Sequence, residues 1–131
     1  MAQHQLTKFH QQMQLPQEML VLILRLLQNQ EHQEYSMLQH YVLIRYEKSA
    51  GDDHIAEFCR RMLALRTSIE GIEHLEIGRD ILHDARSWDL ILIMRFASVA
   101  LLRSYQQHPE HQKVMAFNQP FVADIASVDF E

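Results

Sequence analysis

Residues 37 to 131 predict an α+β fold built on one four-stranded sheet. Three observations lead there. Four stretches have strand character, at 40–47, 72–78, 88–96 and 125–130. Between the first two, apolar residues recur at helical spacing, and between the last two stand a pair of shorter helical stretches joined at Pro109. The resulting order, β-α-β-β-α-(α)-β, is the split βαβ or ferredoxin-like arrangement.

Ahead of that domain, residues 1–36 form a Gln-rich N-terminal extension with one apolar run, Met19 to Leu27, interrupted by Arg25. Pro16, followed by Gln17 and Glu18, marks the first turn of a short helix, because proline suits a position whose N–H has no partner anyway. The run is too short for a membrane span, which needs about 20 apolar residues. It also lacks the basic leader and small-residue cleavage site of a secretory signal. Its apolar residues fall on nearly all sides, so the helix is expected to dock on something. Alternatively, Met37 is the starting residue and the first 36 are an upstream extension of the reading frame.

From Met37 the periodicity is regular. In 40–47, His40, Val42, Ile44 and Tyr46 share one face, and Tyr41, Leu43, Arg45 and Glu47 the other. Asp52 or Asp53 is placed to cap a helix in which Ile55, Phe58, Cys59, Met62, Leu65 and Ile69 recur until Gly71 ends it. Ile72 to Gly78 is the second strand and Arg79 to Ser87 a polar connection. Trp88 to Phe96 is the third strand, with Trp88, Leu90, Leu92 and Met94 opposite Asp89, Ile91, Ile93 and Arg95. Ser98 caps a short helix through Tyr105, a further helix runs from Pro109 toward Asn118, and Ile125 to Phe130 closes the sheet. Helices cover one face of such a sheet, whereas Tyr41, Leu43, Ile91 and Ile93 point to the other. The simplest cover is a second copy packed sheet to sheet about a two-fold axis, a homodimer with a barrel-like core. The amino-terminal helix is the competing cover.

Composition excludes several classes. The chain has 131 residues, 47% of them hydrophobic, which suits one compact domain with a modest core. Its net charge of −5, with 12 basic residues against 17 acidic ones and no basic run, leaves no footprint for nucleic acid. Cys59, the single cysteine, rules out an intrachain disulfide and any multi-cysteine zinc site, and it fits a reducing, cytoplasmic setting. On the apolar face of its helix it is a packing residue before it is a nucleophile. Without a Gly-rich phosphate loop, nucleophile elbow or dinucleotide fingerprint, no nucleotide cofactor is expected.

The most informative run is Tyr105-Gln106-Gln107-His108-Pro109-Glu110-His111, which sets a phenol and two imidazoles around a forced helix break. The residue before a proline is pushed out of the α region, so one helix ends near Gln107 and the next begins at Pro109. Glu110 complements the positive end of the new helix dipole, while that dipole disfavours protonated His111. A neutral imidazole, the form a general base needs, is the expected consequence. The alternative is structural: His108 caps or packs at the junction and His111 covers the helix start. A metal site on His108 and His111 has no third ligand at suitable spacing. His4, His10, His32, His54, His74 and His83 are scattered and read as solvated, and Arg60, Arg61 and Arg66 as the wet face of the long helix.

Taken with Gln39 to Tyr46, Ile69 to Ile72, Glu76 to Arg79, Trp88 to Leu90 and Val128 to Phe130, that run resembles the stress-responsive A/B barrel or Dabb family, over roughly residues 38–131. The resemblance implies a dimeric α+β barrel. The family includes plant stress-induced proteins without an agreed reaction. It also includes a polyketide cyclase, olivetolic acid cyclase, that closes an aromatic ring by aldol condensation with no metal or organic cofactor. By that resemblance Tyr105 and His111 would be the catalytic pair, and His40, Phe58, Cys59, Met62, Leu92, Met94, His108, Val122, Ile125 and Ser127 would belong to the pocket region. Leu90 stands where the cyclase has a pocket histidine, Val122 where it has a large aromatic, and Cys59 and Met62 are slimmer than its aromatics. The pocket of this chain therefore has its own shape.

Two functions from different classes follow. One is a non-catalytic homodimer holding a small apolar or phenolic ligand, with Tyr105 and His111 orienting a polar group. The other is a cofactor-free enzyme, polyketide-cyclase-like or otherwise enolising, with His111 as base and the Tyr105 hydroxyl as oxyanion donor. Convergence of those two side chains on one open cavity is the geometry the second requires.

Overall fold

The computed structural model describes residues 15–35 and 37–131. The chain divides into two units, Met1–Ser36 and Met37–Glu131, each described here by itself. Readings that fall on residues 1–14, His4 and His10 among them, lie outside the described residues, as does the side chain of His32.

In the first unit, helix α1 (Gln17–Tyr35) begins directly after Pro16, whose carbonyl accepts the amides of Met19 and Leu20 at 3.1 and 3.3 Å. At 19 residues it is longer than the short helix expected. The cause is local: the Gln- and Glu-rich stretch after Leu27 consists largely of unbranched residues that lose little side-chain freedom in a helix. No described helix is long and apolar enough to cross a membrane.

The second unit has the expected α+β, ferredoxin-like architecture. Its order is β1 (Leu38–Tyr46), α2 (Asp52–Ser68), β2 (His74–Arg79), β3 (Leu90–Phe96), α3 (Val99–Gln107), α4 (Pro109–Asn118), a 3-10 turn (Gln119–Phe121) and β4 (Val122–Phe130). The sheet runs β2-β3-β1-β4, every neighbouring pair antiparallel. Alternation along β1 and β3 puts Leu38, His40, Val42, Ile44 and Tyr46 with Leu90, Leu92, Met94 and Phe96 under the helices. Phe58, Met62 and Leu65 of α2 meet that face, and Phe58, Met62, Met94 and Phe96 are fully buried. Register places Tyr41, Leu43, Ile91 and Ile93 on the opposite face with Val128 and Phe130, and the Tyr41 and Phe130 rings meet at 5.2 Å.

Several boundaries move, each for a nameable reason. Gly51, not Asp52 or Asp53, holds the N-cap of α2; both carboxylates fall in the first turn, and Asp52 pairs with Arg79 at 3.0 Å. That helix closes at Ser68, and the reversal into β2 turns on Gly71, whose φ is +95°. A Cβ there would lie 3.2 Å from Leu101 Cδ2, a tight contact with the end of a flexible side chain, so it is the backbone conformation that calls for glycine. Trp88 and Asp89 precede β3 instead of opening it. Asp89 accepts the Tyr46 amide through its carboxylate at 2.7 Å, and Trp88 lies under the Arg45 guanidinium at 4.4 Å. Ser98 caps α3 as expected, accepting the Leu101 amide at 3.2 Å. A register shift at Arg45/Tyr46 lets β4 begin three residues early, with Val122 opposite Tyr46.

Candidate functional site

The helix break at His108 builds the site. His108 is extended (φ −64°, ψ 134°), so the last carbonyls of α3 lose their helical partners. The amide that would have bonded the Gln106 carbonyl, that of Glu110, is instead accepted by His108 Nδ1 at 3.1 Å. The Gln106 carbonyl is left to accept the Gln112 side chain at 2.7 Å and His111 Nδ1–H at 3.0 Å. With its proton fixed on Nδ1, His111 carries a bare lone pair on Nε2. Burial holds its pKa below the usual histidine value, the nearby His40 and His108 push the same way, and the Gln106 carbonyl opposes them. The neutral form expected from the helix dipole is thus favoured chiefly by desolvation.

Tyr105 is 2% exposed and sits between the Phe96 ring at 5.3 Å and the His111 ring at 4.4 Å. Burial pushes its pKa well up, so the phenol stays protonated and acts as a donor. No acceptor for its hydroxyl is found among the described residues. Across the site, the β1–β4 register sets His40 opposite Asp129, and His40 Nδ1–H donates to the Asp129 carboxylate. No partner for His40 Nε2 is found among the described residues.

These groups border one cavity of about 410 Å³ between the sheet and α3–α4. His40, Leu92, Tyr105, His111, Val122, Ile125 and Ser127 line it. Phe58, Met62 and Met94 are packed in the core and do not, Cys59 is half-buried against that core, and His108 is engaged as the cap of α4. Gln106, Met115 and Asn118 are walls that sequence reasoning missed. Asn118, 3% exposed, accepts the Tyr46 hydroxyl at 2.8 Å and His54 Nε2–H at 3.0 Å on one oxygen. Burial lifts the Tyr46 pKa to about 12. His54 corrects an expectation: instead of being solvated, it lies between the rings of Phe117 and Phe121 at 4.6 and 4.0 Å. Among the described residues, no cluster of three or more His, Cys, Asp or Glu side chains is placed to hold a metal.

The profile of the Dabb family, the stress responsive A/B barrel domain, matches residues 38–131. A search of curated proteins finds no match. Among solved structures, a dimeric ferredoxin-like protein of unknown function from Thermobifida fusca is 24% identical, with a TM-score of 0.66 over 72% of this chain and 91% of that one. A Dabb family protein with a ferredoxin-like fold from Mesorhizobium loti is 22% identical, TM-score 0.62, over 72% and 95% of the two chains. A hydroxynitrile lyase from Passiflora edulis is 16% identical, TM-score 0.66, over 72% and 92%. At these identities the likeness establishes the fold.

Proposed function

Because the chain belongs to the stress-responsive A/B barrel (Dabb) family across residues 38–131, we propose that it is a homodimer binding a small, mainly apolar molecule between sheet and helices. One observation carries this reading: a largely apolar cavity is bordered by two imidazoles, each tied down through Nδ1, and neither Nε2 has a partner among the described residues. An apolar cavity supplies affinity through burial, and a few fixed polar groups supply orientation. Sheet-to-sheet dimerisation is supported by Val128 and Phe130, 62% and 44% exposed beside Tyr41 and Leu43, and by the dimeric state ascribed to the Thermobifida fusca neighbour. A cytoplasmic setting rests on the free, half-buried thiol of Cys59.

The test is an NMR titration of the wild-type protein with small phenols, fatty acids and β-keto acid mimics, following His111 and Tyr105. Saturable shifts at both residues are expected from at least one class. Silence from every class leaves a structural or protein-partner role. Light scattering at micromolar concentration checks the dimer, and a monomer throughout would remove that half of the reading.

A second reading is cofactor-free proton transfer, polyketide-cyclase-like or otherwise enolising, and the juxtaposition of Tyr105 with His111 favours it. A neutral Nε2 would take a proton next to a carbonyl while the Tyr105 hydroxyl held the developing oxyanion; the base alone is worth about 10²- to 10⁴-fold. The Passiflora edulis lyase shows that this fold can house an enzyme. Turnover of a β-keto ligand that vanishes in both His111→Ala and Tyr105→Phe would support catalysis; binding without turnover would return the site to the first reading.

A further inference from the structure

His111, Met115 and Asn118 stand at i, i+4 and i+7 on α4, so one stripe of that helix faces the cavity over a length of about 10 Å. The near end carries the imidazole; the far end carries a buried amide. The orientation of that amide follows from its neighbours. The Tyr46 hydroxyl is buried, and among the described residues its proton has one acceptor in reach, Asn118 Oδ1. His54 Nε2–H, held between Phe117 and Phe121, donates to the same oxygen. Reversing the amide would strand the Tyr46 proton. In the orientation observed, Nδ2 carries two protons for which no acceptor is found among the described residues. The residue itself is 3% exposed and borders the cavity. A buried donor without a partner, on the wall of an apolar hollow, is where a ligand oxygen belongs.

The same wall limits the charge of that oxygen. No lysine or arginine lines the cavity, so a carboxylate or phosphate would be desolvated there without a countercharge. We propose that Asn118 is the cavity's second anchor, donating through Nδ2 to a carbonyl oxygen of an uncharged ligand whose other polar group meets the imidazole of His111. Tyr46 and His54 act as positioning residues that hold the amide oxygen away from the ligand. The proposal rests on the reading that the cavity binds small apolar molecules, and it adds which functional group they carry and where.

Two probes that differ by one oxygen separate the claims. Para-hydroxyacetophenone and para-ethylphenol share a phenol for the histidine end, and only the first has a carbonyl for Asn118. Calorimetry on the full chain is expected to show the ketone binding roughly tenfold more tightly. In Asn118→Asp, whose carboxyl keeps an acceptor for Tyr46 and, when ionised against the His54 N–H, has no proton to donate, that preference should fall below about twofold at neutral pH while ethylphenol binding persists. Equal binding of both probes by the wild type overturns the anchor and leaves the ligand-binding reading standing. Binding of neither overturns both. Equal loss of both probes in Asn118→Asp reduces Asn118 to a wall residue. If that variant does not fold, the side-chain amide protons of Asn118 in isotope-labelled wild type decide: a downfield shift with the ketone alone supports the anchor, and the same response to both probes ends it.

Discussion

The helix-facing side of the sheet has a filled half and a hollow half. Under α2, Phe58 and Met62 interlock with Met94 and Leu75 until these side chains are 0 to 3% exposed. Under α3 and α4, Val42, Ile44, Leu92, Val122, Ile125 and Ser127 face Tyr105 and His111, and the layers stay apart around a cavity of about 410 Å³. Sheet and antiparallel pairing are common to both halves, so the side chains are what separates them. Large flexible residues close the first half, while a fixed aromatic roof over mostly β-branched residues keeps the second open. The lesson is that stability and recognition are assigned to different columns of one sheet face.

The largest expected effect lies in the filled half. Phe58→Ala should cost about 3–5 kcal/mol, read from urea denaturation, because the surrounding side chains cannot collapse into the space. A loss below about 1 kcal/mol would mean that this half is not packed as described. In the hollow half, His111→Ala should instead leave stability within about 1 kcal/mol of wild type and weaken phenol binding by roughly tenfold, since one charge-neutral hydrogen bond is removed. An effect on stability alone would blur the division.

Val122→Phe sharpens the same contrast by filling space instead of emptying it. The ring enters the cavity, so the melting temperature should hold or rise slightly while ligand shifts at His111 disappear. A clear loss of stability would place Val122 in a packed environment. The smallest effect is a pH dependence. The folded pKa of His111 lies below the usual value of 6.5, so the unfolded chain binds the proton more readily. Stability is therefore unaffected above that value and declines as pH falls below it, and His111→Gln should flatten this part of the decline. Denaturation at about pH 7.5 and about pH 5.5 on both proteins measures it. An identical slope in the two would assign the effect to other groups.

Local features were legible in the residues. The alternation of His40 to Tyr46 placed the faces of β1, Ser98 announced the start of α3, and Pro109 located the break that organises the site. What stayed illegible depends on distant partners. Asp129 looks like an ordinary strand residue until pairing sets it against His40, 89 positions away, and Asn118 looks like a helix end until Tyr46, 72 positions away, reaches it. His54 was misjudged for the same reason, because nothing near it in the chain shows that Phe117 and Phe121 will enclose it. Boundaries slipped where side chains compete with the backbone, as Asp89 does in capturing the Tyr46 amide.

The sequence by itself determined the fold class, the helix break and the identity of the phenol and imidazole at its rim, because periodicity, proline sterics and capping act within a few residues. Only the tertiary structure decided which half of the sheet face is hollow, which nitrogen of each histidine is tied down and where the buried amide stands. Those depend on register and on volumes summed across strands and helices far apart in the chain, and no local pattern encodes such sums.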